Sequence, residues 1–162
     1  MIPGRIPRVV TTTLPGNEFA IREATRADLL NVFRIEQASF PQPWPFQAFE
    51  RFVGEPGFLV SDHDGQITGY IVSDAVPNHG KALGHVKDFA VHPDFRGQGI
   101  GTELLQQALA ELSTRGVYSV KLEVRENNES AIRLYRQHGF THKRTVSRYY
   151  NNGEDALILI RE

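Results

Sequence analysis

The stretch HVKDFAVHPDFRGQGIGTELLQQAL, residues 85–109, decides the fold. Its first seven residues read as a strand. RGQGIG (96–101) follows, with three glycines in six positions. From 99 to 115 the apolar residues Ile100, Leu104, Leu105, Ala108, Leu109 and Leu112 recur at helical spacing, and Arg115-Gly116 ends the run. A strand, a glycine loop and a helix in that order leave bare N–H groups at a helix start, which suits an anion. The plain alternative is a tight turn with glycines for close packing.

Two familiar phosphate loops do not fit. A dinucleotide fingerprint starting at Gly97 would need its third glycine at 102, where the chain has Thr102. No Gly-Lys-Ser/Thr triplet is present for a nucleotide P-loop. What survives is a pyrophosphate held by successive N–H groups from Gln98 to Thr102, with Arg96 adding charge.

The surroundings are those of an α/β domain. The 162 residues suit one domain, and 40% hydrophobic with 23% charged residues is ordinary for a globular chain. A net charge of -1 gives no pull toward nucleic acid or an anionic membrane. No apolar run is long enough to span a bilayer. The chain has no cysteine, which removes disulfides, thiolate zinc sites and a thiol nucleophile, and fits a reducing cytoplasm. No cluster of histidines and carboxylates has metal-ligand spacing, so no metal is expected. Residues 1–18 read as a flexible arm that pairs at most locally, and the domain runs from 19 to 162.

Strands are expected at 19–23, in GFLVSD and ITGYIVSD around the turn H-D-G-Q, at 85–91, at 117–124, and in a last hairpin around N-N-G-E. Helices are expected from Arg26 to Ala38, near 46–53, over 99–115 and from Ser130 to His138. In the first helix Leu29, Leu30, Phe33 and Ile35 should face inward. FPQPWP (40–45) must break it, because three prolines cannot continue a helix.

Several residues stand out for chemistry. Glu123 lies inside the apolar strand KLEVR, where a carboxylate is costly unless paired or functional. Ion pairing to Lys121 or Arg125 is the structural alternative. His85 starts a neighbouring strand, and imidazole is the side chain suited to proton relay near neutral pH. Tyr135 sits on an amphipathic helix that Asn128 can cap. Tyr149 and Tyr150 precede the last turn, and strand alternation would send them to opposite faces. Phe40, Pro41 and Trp44 form a proline-rich corner.

The strand-loop-helix block, followed by KLEVRENNESAIRLYRQHGF (121–140) and RYYNNGEDALIL (148–159), resembles the GNAT acetyltransferase superfamily. The nearest subgroup acetylates protein N-termini, the RimI-like and archaeal enzymes. The resemblance implies a GNAT-like α/β fold with a mixed, mostly antiparallel sheet of about seven strands flanked by about four helices. It implies acetyl-CoA as cofactor, with coenzyme A as product. Phe89, Ala90 and Val91 would meet its pantetheine arm, and Arg96, Gly97, Gln98, Gly99, Ile100, Gly101 and Thr102 its pyrophosphate. Asn128 and Tyr135 would face its thiol end.

By the same resemblance Glu123 is general base through a water, with His85 helping, and Tyr135 is general acid. Phe40, Pro41 and Trp44 would form one wall for the acceptor, and Tyr149 and Tyr150 the other. Lys87 and Asp88 depart from the pattern, since relatives carry small or neutral residues there; Asp88 becomes a second carboxylate to weigh as base. The expected reaction is direct acetyl transfer, in a ternary complex, to a protein N-terminal α-amine, ribosomal proteins among the possible targets. Lysine or a small amine as acceptor, or a non-catalytic acyl-CoA-binding domain, are the alternatives. The sequence leaves the oligomeric state open.

Overall fold

A computed structural model describes residues 9–14 and 17–162. Among them are eight strands of one mixed sheet: β1 (Val9–Leu14), β2 (Asn17–Glu23), β3 (Phe58–His63), β4 (Gln66–Asn78), β5 (Lys81–Val91), β6 (Val120–Arg125), β7 (Thr141–Val146) and β8 (Ala156–Arg161). Four α-helices alternate with them: α1 (Leu29–Ser39), α2 (Phe46–Glu50), α3 (Ile100–Thr114) and α4 (Glu129–Gln137). The chain divides into two compact units. One holds the chain up to Ser73 together with Asp88–Glu111, the other Asp74–Lys87 and Leu112–Glu162.

In the first unit β1, β2, β3 and β4 lie side by side, with antiparallel pairing from β1 through β4. The strand at Val9–Leu14 is local pairing of the kind the sequence allowed for residues 1–18, whose first eight lie outside the described residues. Its pairing with β2, from Val9↔Arg22 to Leu14↔Asn17, extends the sheet by one strand beyond the seven expected. The core of this unit joins Leu29, Val32 and Ile35 of α1 to Val60, Tyr70 and Val72 of the sheet and to Phe49 of α2.

Helix α1 begins where Thr25 N–H donates to Asp28 Oδ2 at 2.8 Å. Asp28 also takes two bonds from the Arg22 guanidinium, at 2.7 and 2.9 Å. The inward face is set by Leu29, Val32, Ile35 and Glu36. Leu30 is 51% exposed, which corrects its placement in the core: it lies one position off the stripe.

In the second unit β5 pairs parallel to β6, and β6 pairs antiparallel to β8, which pairs with β7. Gly84 makes the close approach possible. A Cβ there would come within 2.9 Å of Leu112 and Val120 side chains. Strand β6 alternates, with Val120, Leu122 and Val124 buried and Lys121, Glu123 and Arg125 on the partly exposed face. It starts later than expected, and Tyr118 is 66% exposed ahead of it. Among the described residues no helix is long and apolar enough to cross a membrane.

Candidate active site

The glycine loop leads from β5 into α3. Gly97 and Gly99 have φ of 78° and 84°, left-handed values that a side chain disfavours. Nothing lies within 4 Å of where a Cβ on Gly97 would sit, so the loop surface is open rather than packed. Helix α3 starts at Ile100, which is 1% exposed. The N–H groups of the first turn, Ile100, Gly101 and Thr102, are ones a helix leaves without internal acceptors.

Arg96 opens the loop. Its Nε donates to Val91 O at 3.0 Å and its Nη2 to Ser39 Oγ at 3.4 Å. The guanidinium thus ties the loop to the end of β5. Phe89, Ala90 and Val91 form that end, with Ala90 8% exposed and its neighbours partly exposed. The residues present fit an acyl-CoA: backbone donors at a helix start beside a partly exposed strand end.

In the same unit Phe40 and Trp44 pack partly buried against the core, while Pro41 is exposed. The Trp44 ring stacks on Phe52 at 5.9 Å and tilts against Phe49 at 5.3 Å. The backbone N–H of Trp44 donates to Glu36 Oε2 at 2.9 Å. Sequence reasoning missed Glu36 as a functional candidate. The signal was its place seven residues after Leu29, on the buried stripe of α1.

Asp88 is held by its neighbours. Its Oδ1 accepts from Phe89 N–H at 2.9 Å, and Oδ2 lies 3.3 Å from the Tyr70 hydroxyl. Burial and then Glu36 push its carboxyl well above the usual range.

The second unit carries the titratable pair. His85 lies opposite Lys121 in the parallel register, which puts it on the face of β6 that Glu123 shares. His85 Nε2 stands 2.6 Å from Glu123 Oε1. The side chains are 19% and 15% exposed. Burial works against the Glu123 charge. The bond and field of His85, with Lys121 Nζ at 3.7 Å, outweigh it and hold the carboxyl below the ordinary range. Arg125 does not pair with Glu123; it reaches Glu154 at 3.2 Å.

An ionised carboxylate only accepts, so His85 Nε2 carries the hydrogen of this bond.

Tyr149 and Tyr150 do not lie on a strand, which corrects the alternation argument. Strand β7 stops at Val146, Arg148 turns with φ 53°, and the two rings meet edge to face at 5.0 Å. The Arg125 guanidinium lies 3.8 Å over the Tyr150 ring. Burial pushes the Tyr150 phenol up to about 12 despite Arg125. Burial and then Glu123 raise Tyr149 too. Both phenols keep their protons at neutral pH and act as donors. Glu154 and Asp155 brace the turn, through Tyr150 N–H to Glu154 O at 3.1 Å and Arg148 N–H to Asp155 Oδ1 at 3.0 Å.

Tyr135 is 6% exposed on α4, its ring edge-on to Phe140 at 5.7 Å. Asn128 caps that helix by accepting from Ala131 N–H at 3.3 Å. Among the described residues no group of histidines and carboxylates could hold a metal ion.

Known proteins share this plan. An N-alpha-acetyltransferase of Sulfurisphaera tokodaii is 34% identical over 158 residues, covering 89% of this chain and 93% of that protein. The [ribosomal protein bS18]-alanine N-acetyltransferase of Escherichia coli is 32% identical over 137 residues, covering 82% and 89%. The crystal structure of Ard1 from Thermoplasma volcanium superposes with a TM-score of 0.81 at 29% identity, over 88% of this chain and 96% of that one. The sequence profile of the acetyltransferase (GNAT) family matches residues 29–140, and the chain belongs to that family.

Proposed function

We propose that this protein transfers an acetyl group from acetyl-CoA to the α-amine of a protein N-terminus. The observation that carries the reading is the 2.6 Å contact between His85 Nε2 and Glu123 Oε1 on adjacent parallel strands. The names of the relatives above support the choice of acceptor. A cytoplasmic setting fits a chain without cysteine.

Bound acetyl-CoA would supply an acyl carbon activated by a thiol leaving group. The backbone of Gln98 to Thr102 holds its pyrophosphate, and Arg96 fixes the loop that presents those donors. The edges of Phe89, Ala90 and Val91 hold the pantetheine arm.

An attacking amine must be neutral. An α-amine near pKa 8 is roughly a tenth neutral at pH 7, whereas a lysine near 10.4 is under about 0.1%. The Glu123–His85 dyad takes the proton that the amine sheds, directly or through one water. Glu123 stays ionised and so keeps the acceptor nitrogen of His85 aimed outward from the pair. Tyr135 supplies a proton at the leaving sulfur, and Asn128 sets the helix that carries it. Tyr149 and Tyr150 donate hydrogen bonds to the acceptor's first backbone groups, and Phe40, Pro41 and Trp44 bound its first side chain.

The test is Glu123→Gln on a peptide with a free N-terminus. Loss of turnover with acetyl-CoA affinity retained is expected. Wild-type turnover across pH would overturn the dyad as proton acceptor.

A further inference from the structure

Glu36 is 2% exposed and Tyr70 is fully buried, and the chemistry above uses neither. The Tyr70 hydroxyl bonds Glu36 Oε1 and lies 3.3 Å from Asp88 Oδ2. The other oxygen of each carboxyl accepts a backbone N–H at 2.9 Å: Trp44 on Glu36, Phe89 on Asp88. Phe49 stands edge-on to the Tyr70 ring at 5.6 Å, and Phe58, Val60 and Val72 share the same cluster. Among the described residues Glu36 from α1 and Asp88 from β5 are the titratable groups that act on the phenol.

Counting hydrogens fixes the direction of these bonds. A phenol has one proton to donate. Glu36 accepts from Trp44 N–H and from Tyr70 O–H. Glu36 also hydrogen-bonds the Asp88 carboxyl directly, and two ionised carboxylates cannot bond each other, so the proton between them sits on Asp88. Two ionised carboxylates around one phenol in an apolar wall would repel.

We propose that Asp88, Tyr70 and Glu36 form a hydrogen-bonded cluster that fixes Trp44 and, with it, the acceptor wall at residues 40–44. Asp88 and Tyr70 serve as neutral donors to Glu36, whose other oxygen grips the Trp44 backbone. All three are positioning residues. The consequence for catalysis rests on the reading of residues 40–44 as part of the acceptor site.

The cluster predicts an asymmetry. Asp88→Asn keeps an N–H donor toward Glu36, so it should behave like the wild type. Asp88→Ala removes the donor. Glu36→Gln places an N–H against one of its donors and should break the grip.

Trp44 is the single tryptophan of the protein, so acrylamide quenching of its fluorescence reads the wall without any substrate. Glu36→Gln and Asp88→Ala should raise quenching and raise peptide KM several-fold, with acetyl-CoA KM unchanged. Asp88→Asn should restore both toward wild type. Quenching in Asp88→Asn as high as in Asp88→Ala would overturn the proposal, as would wild-type quenching in both damaging variants. Should Glu36→Gln fail to fold, the Asp88→Ala and Asp88→Asn pair decides alone. If the wild type acetylates no peptide, the functional reading fails, and the quenching data still judge the cluster.

Discussion

His85 Nε2 stands 2.6 Å from Glu123 Oε1, across two parallel strands that Gly84 allows to approach closely. The pair is a working unit only if the two side chains depend on each other. Removing either should lower kcat by roughly 10²-fold or more, the usual range for a lost general acid-base group. The double variant His85→Ala/Glu123→Gln should be no slower than the slower single variant. Independent, multiplicative losses in a steady-state cycle would mean that the two residues act separately.

The glycine loop makes a prediction about binding alone. Gly99→Glu adds bulk and a negative charge where a pyrophosphate would sit. Gly99→Ala carries the same backbone strain at φ 84° without the charge. Titration calorimetry should show acetyl-CoA affinity at least about tenfold weaker in Gly99→Glu than in Gly99→Ala. Equal affinities would displace the pyrophosphate from this loop.

Tyr135→Phe keeps the ring packed edge-on to Phe140 and removes only the hydroxyl. Thermal stability should hold while kcat falls by roughly tenfold or more, the scale of a lost proton donor. An unchanged kcat would return Tyr135 to a packing role.

The start of α1 gives a stability prediction with a sign. Burial works to raise the Asp28 carboxyl, but the bonds from Arg22 and Thr25 outweigh it and hold the group below its ordinary range. A depressed folded value means stability present at neutral pH and lost as pH falls through that value. Asp28→Asn should therefore cost about 1–3 kcal/mol at pH 7, as for a hydrogen-bonded charged pair. The gap from wild type should close in acid. Denaturant melts at neutral and acidic pH check both statements, and a gap independent of pH would contradict them.

Much of this was legible in the sequence because local signals agreed. The glycines at 97 and 99 mark a loop before a helix whose apolar spacing has one solution. Alternation in KLEVR separated Glu123 from Leu122 and Val124. What could not be read was pairing across the fold. Arg125 was as plausible a partner for Glu123 as His85, and register alone gave Glu123 to His85 and Arg125 to Glu154. Leu30 looked like core because it is apolar, yet a shift of one residue in helical phase puts it in solvent. Strand β1 was legible only as local pairing, because threonines at 11–13 with flanking prolines read as a loop until β2 pairs with them. Glu36 was hidden because a buried carboxylate announces itself only through its partners.

The central claim is the acceptor, and one measurement addresses it directly. The purified protein is incubated with acetyl-CoA and two peptides, one with a free N-terminus and no lysine, the other N-blocked with an internal lysine. The acetyl group is then located by fragment mass spectrometry. The account predicts acetylation of the free α-amine and none on the blocked peptide. Acetylation confined to the lysine would contradict it, leaving the fold and the cofactor site in place but assigning them a different acceptor.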